Sequence, residues 1–325
     1  MTSSQAPDGT AVAAGLGGIR ARRGRFSRAR LSRAAAPYLL LLPVAVVIGA
    51  VLGYPLYKLA TLSFQQYGLA ELIQRKGTWV GLDNYESVLR DSIFWDTLLR
   101  TVIFTAANVG LTIVLGTLIA LLLVQVSTWV RVLLTAGLVL VWAMPVVVAV
   151  QVFYWMTNFE SGVLNYLVAQ LGLVGEQHDW YATTFSKLAM VTLLVVWGAI
   201  PFVVITVYAG LAQVPRELVE AAEIDGAGPV RVFRDVTLPI LKPILLILTS
   251  LSIIWDFGVF TQQYLLIGSS QLDPTNYLMG VYVFIEGYSH SDFGRGAAIS
   301  LLMLLIVAAM SVVYVRRMVR MGDTA

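Results

Sequence analysis

Few residues of this 325-residue chain are equipped for chemistry, because 58% are hydrophobic and only 13% are charged. One formal charge, Asp256, lies inside a long apolar run, in a segment that also carries Trp255, Gln262, Gln263 and Tyr264. Gln151, Tyr154 and Trp155 fall on consecutive turns of an earlier run, and Trp197 lies near Pro201 in another. Carboxyl and amide groups hydrogen-bond hydroxyls, and aromatic rings cover the C–H faces of sugars. Polar groups inside a membrane are costly and usually line a cavity. Gln151, Tyr154, Trp155, Trp197, Trp255, Asp256, Gln262 and Tyr264 are therefore the candidates for lining a solute path. Each has a competing reading. Asp256 can make a structural hydrogen bond, to Ser252 one turn earlier or to a neighbouring helix, and Tyr and Trp are common in interfacial belts.

A second group is polar outright. Glu220-Ala221-Ala222-Glu223-Ile224-Asp225-Gly226 is followed thirteen residues later by Pro239 of Leu238-Pro239. Pro215 suits a first helical turn, where its missing N–H costs nothing. Glu217, Glu220 and Glu223 recur every three residues near that N-terminal end, where the helix dipole favours negative charge. Ala221 and Ala222 leave the backbone approachable, and Gly226 allows the left-handed conformation that ends a helix. A second short helix is expected from Pro229, with Val230 and Phe233 on one face and Arg231 and Arg234 on another. Leu238-Pro239 and Lys242-Pro243 are expected to end the unit. Spacing alone leaves two readings, a docking surface or an ordinary solvated connector. Glu286, Tyr288, His290 and Asp292 likewise read as an external contact or as a solvated loop.

The elements that must position these residues are membrane helices. A span needs roughly 20 apolar residues. Six runs qualify, with expected helices at 37–60, 98–125, 130–157, 188–211, 243–267 and 295–315. Pro201 is expected to kink the fourth. The expected fold is all-α and polytopic: a disordered basic segment 1–36, a transmembrane domain 37–315 containing a polar loop 212–242, and a tail 316–325. Seven arginines lie between Arg20 and Arg33. A signal peptide would need a shorter apolar run and a cleavage site. A nucleic-acid-binding arm is the other alternative, but the positive-inside rule accounts for the cluster directly before a span. With the N-terminus inside, fifteen of the 22 basic residues fall on the cytoplasmic side. Both termini and the loop 212–242 are then cytoplasmic. The external loops, roughly 61–97, 158–187 and 268–294, are long enough only for short capping helices.

Several chemistries are excluded. There are no cysteines, so disulfides and thiolate metal sites are absent. His178 and His290 lie far apart, with no metal-ligand spacing. Neither a phosphate-cradling G-x-x-x-x-G-K-[ST] nor an H-E-x-x-H occurs. A standalone secondary transporter or channel would need coupling charges, repeats or a pore ring; Asp256 alone qualifies, and no repeat is visible.

The spacing Glu220-Ala221-Ala222, Gly226, Val236, Leu238-Pro239 resembles that of the permease subunits of ABC importers, with Val236 where the family usually has Ile. Val80-Gly81-Leu82-Asp83-Asn84-Tyr85 with Phe94-Trp95, Gly162 to Asn165, and Trp197 with Ile200-Pro201-Phe202 resemble the carbohydrate-uptake, maltose-permease branch. The resemblance covers nearly everything after Ala36. It implies a chain without catalytic activity in the cell membrane of a bacterium. Its coupling helix would carry Glu220, Ala221, Ala222, Asp225 and Gly226, and Leu238 and Pro239 would complete the contact with the ATPase. It also implies the partners: a homologous second permease, a cytoplasmic ATPase dimer that uses ATP and Mg, an extracellular sugar-binding (lipo)protein and membrane lipid, with no nucleic acid. No cofactor or metal is expected on this chain. Trp255 to Gln262 is similar to actinobacterial permeases for amino-sugar disaccharides such as diacetylchitobiose, and eighteen arginines against four lysines suit a G+C-rich genome.

Overall fold

The structure is a computed structural model that describes residues 39–172 and 178–322. The arginines from Arg20 to Arg33, and with them the expected segment 1–36, lie outside the described residues, as do residues 323–325 of the expected tail. The chain divides into two compact units, Met1–Lys58 and Leu59–Ala325. The described part of the first is helical: it holds α1 (Leu39–Ser63) up to Lys58, with a π-type turn at Gly49–Gly53, and every side chain from Leu39 to Lys58 is exposed. A helix apolar on all sides belongs in a membrane or a core.

The second unit opens with a small cap. Strand β1 (Gln65–Gln66) pairs antiparallel with β2 (Thr78–Trp79), Gln65 opposite Trp79, around the short helix α2 (Leu69–Gln74). Asn84, in α3 (Asp83–Arg90), donates to the carbonyls of Ser63 and Gln65, both at 2.9 Å, and so pins the cap. Asp91 then caps the longest helix, α4 (Ser92–Gln125), by accepting the Ile93 N–H at 2.9 Å.

Helix α4 is the mast of the fold. Phe94 joins an apolar cluster with Phe257 and Tyr282, Phe104 one with Val191 and Leu266, and Ala120 and Leu123 one with Val204 and Leu241. Its buried face is built of small polar residues, Thr97, Thr101, Thr105, Asn108, Thr112 and Thr117, with Gly116 among them. Small side chains let neighbouring helices approach closely without exposing backbone to lipid.

The expected helix 130–157 is two helices. Helix α5 (Thr128–Trp142) and helix α6 (Val146–Met156) meet at 100°. Pro145 has no N–H to donate and forces Met144 out of helical geometry, which ends α5 and redirects the chain. After α7 (Val163–Gln170), α8 (Thr184–Leu211) starts at a Thr183–Ser186 capping box and runs through Pro201 as one helix.

Pro215 precedes α9 (Arg216–Ile224), and Pro229 opens α10, which continues to Phe257. Leu238-Pro239 therefore does not end the polar unit. A π-type turn, Phe233–Thr237, precedes Pro239, which sits in the first turn of the regular stretch that follows. The wider turn accommodates a residue that has no N–H to give. The expected helix 243–267 likewise divides: α10 stops at Phe257, and α11 (Thr261–Ile267) is separate. Then come α12 (Met279–Phe284) and α13 (Phe293–Gly322). Among the described residues, five helices are long and apolar enough to cross a membrane, or six if α5 and α6 count as one broken span.

Candidate functional site

The break at Pro145 and the end of α10 open a cavity of about 280 Å³. Its walls come from α5 (Trp142), α8 (Trp197, Gly198, Phe202) and α10 (Trp255, Asp256), with Gln262 of α11. The rings form a connected wall. Trp142 stacks on Phe202 with centroids 6.2 Å apart and planes 18° apart, and Phe202 meets Trp255 edge-on at 5.4 Å. Trp197 is held from behind by Phe153 at 5.4 Å. Asp256, one residue before the end of α10, is only 5% exposed, and its carboxyl makes no hydrogen bond within the described residues, to Ser252 or to any other. An aromatic wall facing one carboxyl and one amide stacks a flat apolar face and accepts hydroxyl hydrogens.

Of the residues singled out from sequence, Trp197, Trp255, Asp256 and Gln262 share this cavity. Gln151, Tyr154 and Trp155 are exposed on α6 and do not line it. Tyr264 belongs to a different aromatic group, 5.2 Å from Phe260 and 5.1 Å from Phe284. Gln263 is spent on structure: its amide donates to the Asn276 carbonyl at 2.5 Å and accepts the Leu278 N–H at 3.2 Å. Sequence reasoning missed Trp142 and Phe202. Their signals were available: Trp142 lies three residues before Pro145, and Phe202 directly follows Pro201.

The second site is a knob between α8 and α10. The N–H of Ala227 reaches back to the Ala222 carbonyl at 2.9 Å, and Gly226 turns the chain with φ of +80°. That conformation is open to glycine and strained for other residues. Glu220, Ala221, Asp225, Gly226 and Pro239 are exposed, while Ala222 and Leu238 are half-buried. Beside them Ile224 is 86% and Val230 82% exposed. Glu217, Glu220, Glu223 and Asp225 form no ion pair among the described residues. Acidic groups beside bare aliphatic ones make a contact surface for a basic, partly apolar partner. At its base, a Cβ on Gly210 would stand 2.6 Å from Ile244 Cδ1, so α8 and α10 touch there. Behind the knob, a cavity of about 680 Å³ separates Val219, Glu220 and Glu223 from the ends of α4 and α5, where Arg131 stands.

At the start of α13, Arg295 pairs with Asp91 and, at 3.1 Å, with Glu286, and Tyr282 donates to Asp91 at 3.2 Å. His290 lies 3.4 Å from Glu286. Glu286 is thereby committed to holding α12 against α13, whereas Tyr288 is exposed.

Residues 112–320 match a family described as binding-protein-dependent transport system inner membrane component. The chain is 44% identical over 303 residues to a diacetylchitobiose uptake system permease protein of Streptomyces coelicolor, spanning 93% of this chain and 90% of that one. It is 30% identical over 290 residues to a trehalose/maltose transport system permease protein of Thermococcus litoralis, spanning 89% and 96%. Its fold is similar to a chain in the crystal structure of a bacterial ABC transporter involved in the import of the acidic polysaccharide alginate. There the TM-score is 0.76 at 17% identity, over 91% of this chain and 99% of that one.

Proposed function

We propose, from the premise that this chain belongs to the family of inner membrane components of binding-protein-dependent transport systems, that it is the permease subunit of an ATP-driven sugar importer. The best-supported cargo is a disaccharide of the diacetylchitobiose kind, since that is what the 44%-identical relative takes up. Six spans cross the membrane, with α5 and α6 as one broken span and both termini in the cytoplasm. The segment 1–36 is a cytoplasmic arm, 37–315 the permease domain and 316–325 a cytoplasmic tail. The loop 212–242 carries the coupling helices, α9 and the start of α10. An ATPase dimer, which binds the ATP and Mg, receives Glu220, Ala221, Ala222, Asp225, Gly226, Leu238 and Pro239. A second, homologous permease completes the two halves that alternating access requires. An external sugar-binding protein delivers the cargo. Trp197, Trp255, Asp256 and Gln262 then contact it, with Gln151, Tyr154, Trp155 and Tyr264 elsewhere on its route.

The observation that carries this reading is the knob: a compact, unpaired acidic and aliphatic surface rooted in α8 and α10, the two helices that also wall the aromatic cavity. A push on that knob therefore acts on the cavity walls through helix alone. The test is purification from its native membrane under mild detergent. The expected result is a co-purifying ATPase and a second permease, with sugar uptake in proteoliposomes that requires ATP inside and binding protein outside. A homomeric preparation that transports without an ATPase sinks the reading.

A further inference from the structure

Helix α4 ends at Gln125, and the carbonyls of a last helical turn have no partner further along the helix. Arg131, in the first turns of α5, satisfies two of them and the carbonyl of Val126. Its Nε donates to the Leu123 carbonyl at 2.8 Å, and its Nη2 to those of Val126 at 3.0 Å and Val124 at 3.3 Å. The dipole at a helix C-terminus favours a cation in this place. The remaining arm of the fork points elsewhere. Nη1 donates to the Tyr208 hydroxyl at 3.1 Å, and the guanidinium lies 5.6 Å from the centroid of that ring. Tyr208 stands in the last turn of α8, just before the chain enters α9. One side chain thus joins the ends of α4, α5 and α8. The rigid, five-donor fork of arginine suits this, and a single ammonium does not.

The same two helices meet again at the aromatic cavity, where Trp142 of α5 stacks on Phe202 of α8. Arg131 and Trp142 are eleven residues apart, or about 16 Å of helix, and Phe202 and Tyr208 are six apart, or about 9 Å. Helices α5 and α8 are therefore clipped at one end by Arg131–Tyr208 and closed at the other by cavity rings. The knob itself stands off from α4 and α5 across the 680 Å³ cavity. A displacement of α9 passes into α8 and, through Val203, Val204 and Val207 packed with Ala120 and Leu123, into α4; the clip carries it across to the start of α5.

From this geometry we infer that Arg131 is a positioning residue for energy coupling: through Tyr208 it ties the start of α5 to the packed pair α4 and α8, so that α5 moves with them when the knob is pushed. The inference rests on the reading of α9 as the coupling helix. Its test is the ratio of sugar taken up to ATP hydrolysed, in proteoliposomes holding the complete transporter. Arg131→Gln removes the fork and is expected to leave ATP hydrolysis running while the ratio falls about tenfold, the order of one charge-assisted contact. Tyr208→Leu leaves the three carbonyl bonds, and so the helix cap, in place while removing the clip; it is expected to lower the ratio in the same way. Tyr208→Phe, losing one hydroxyl bond and keeping the ring, is expected to lower it about twofold. A purely structural Arg131 would give a normal ratio in both Tyr208 variants, and that result overturns the inference even if Arg131→Gln fails to accumulate. Wild-type transport that is itself independent of ATP overturns the coupling reading, and the clip with it. Wild-type coupling with unaffected variants overturns the clip alone.

Discussion

Asp256 is the residue whose surroundings most constrain its role. It is buried at the end of α10, next to a ring wall, and its carboxyl receives no hydrogen bond from the described residues. A buried polar group left unpaired costs on the order of 1–3 kcal/mol, so such groups persist where a ligand or water completes them. Asp256→Ala is expected to lower uptake about tenfold while sugar binding to the isolated binding protein stays unchanged. Asp256→Asn, which keeps an acceptor, is expected to lie between the two. Wild-type uptake kinetics in Asp256→Ala would assign the residue to structure. The choice of Trp and Tyr was only partly legible in the sequence, since a ring in an interfacial belt and a ring in a cavity have the same spacing. Trp197 and Trp255 reached the cavity because α8 and α10 face each other there; Trp155 did not, because α6 leaves α5 at 100°.

Among the elements, close approaches set the architecture. A Cβ on Gly116 of α4 would lie 2.5 Å from Val203 Cγ1 and 2.9 Å from Val203 Cβ of α8. Gly116→Leu is expected to destabilise the detergent-solubilised protein by about 1–3 kcal/mol, seen as a lowered melting temperature. Adding Val203→Ala is expected to recover part of that loss, and no recovery would mean that the contact is not the cause. The turn between α9 and α10 makes a different demand. Gly226 holds φ of +80°, which proline cannot adopt. Gly226→Pro and Glu220→Lys are both expected to leave membrane levels within twofold of wild type and to abolish ATP-driven uptake. Uptake at the wild-type rate by either variant would remove that residue from the coupling surface. The sequence marked both ends of α9 through Pro215 and Gly226. It misplaced the boundary at Pro239, because a π-type turn lets the helix run on where a proline normally stops it.

For the whole molecule, the apolar surface is the main fact. Leu39 to Lys58 of α1 are exposed throughout, as are Leu133, Leu140, Trp155 and Phe185. On the proposed function, lipid and a second permease cover this surface. With the termini inside, a reporter fused after Ala325 is expected to read cytoplasmic, and reporters in the segments 61–97 and 268–294 external. A reporter at Ala325 that reads external would invert the topology and put the knob on the wrong side for an ATPase.

The sequence by itself determined the membrane environment, the number of apolar runs and the position of the polar unit between α8 and α10. These depend on composition and short-range spacing: about 20 apolar residues per span, glutamates three apart, and a glycine where the chain turns. Only the tertiary structure decided which polar and aromatic residues share a cavity and which side chain ties the helix ends together. Trp142 meets Phe202, and Arg131 meets Tyr208, across gaps of sixty and seventy-seven residues. Such pairings are set by where Pro145 and Gly258 break the helices and by how closely α4, α8 and α10 pack. No local periodicity encodes that.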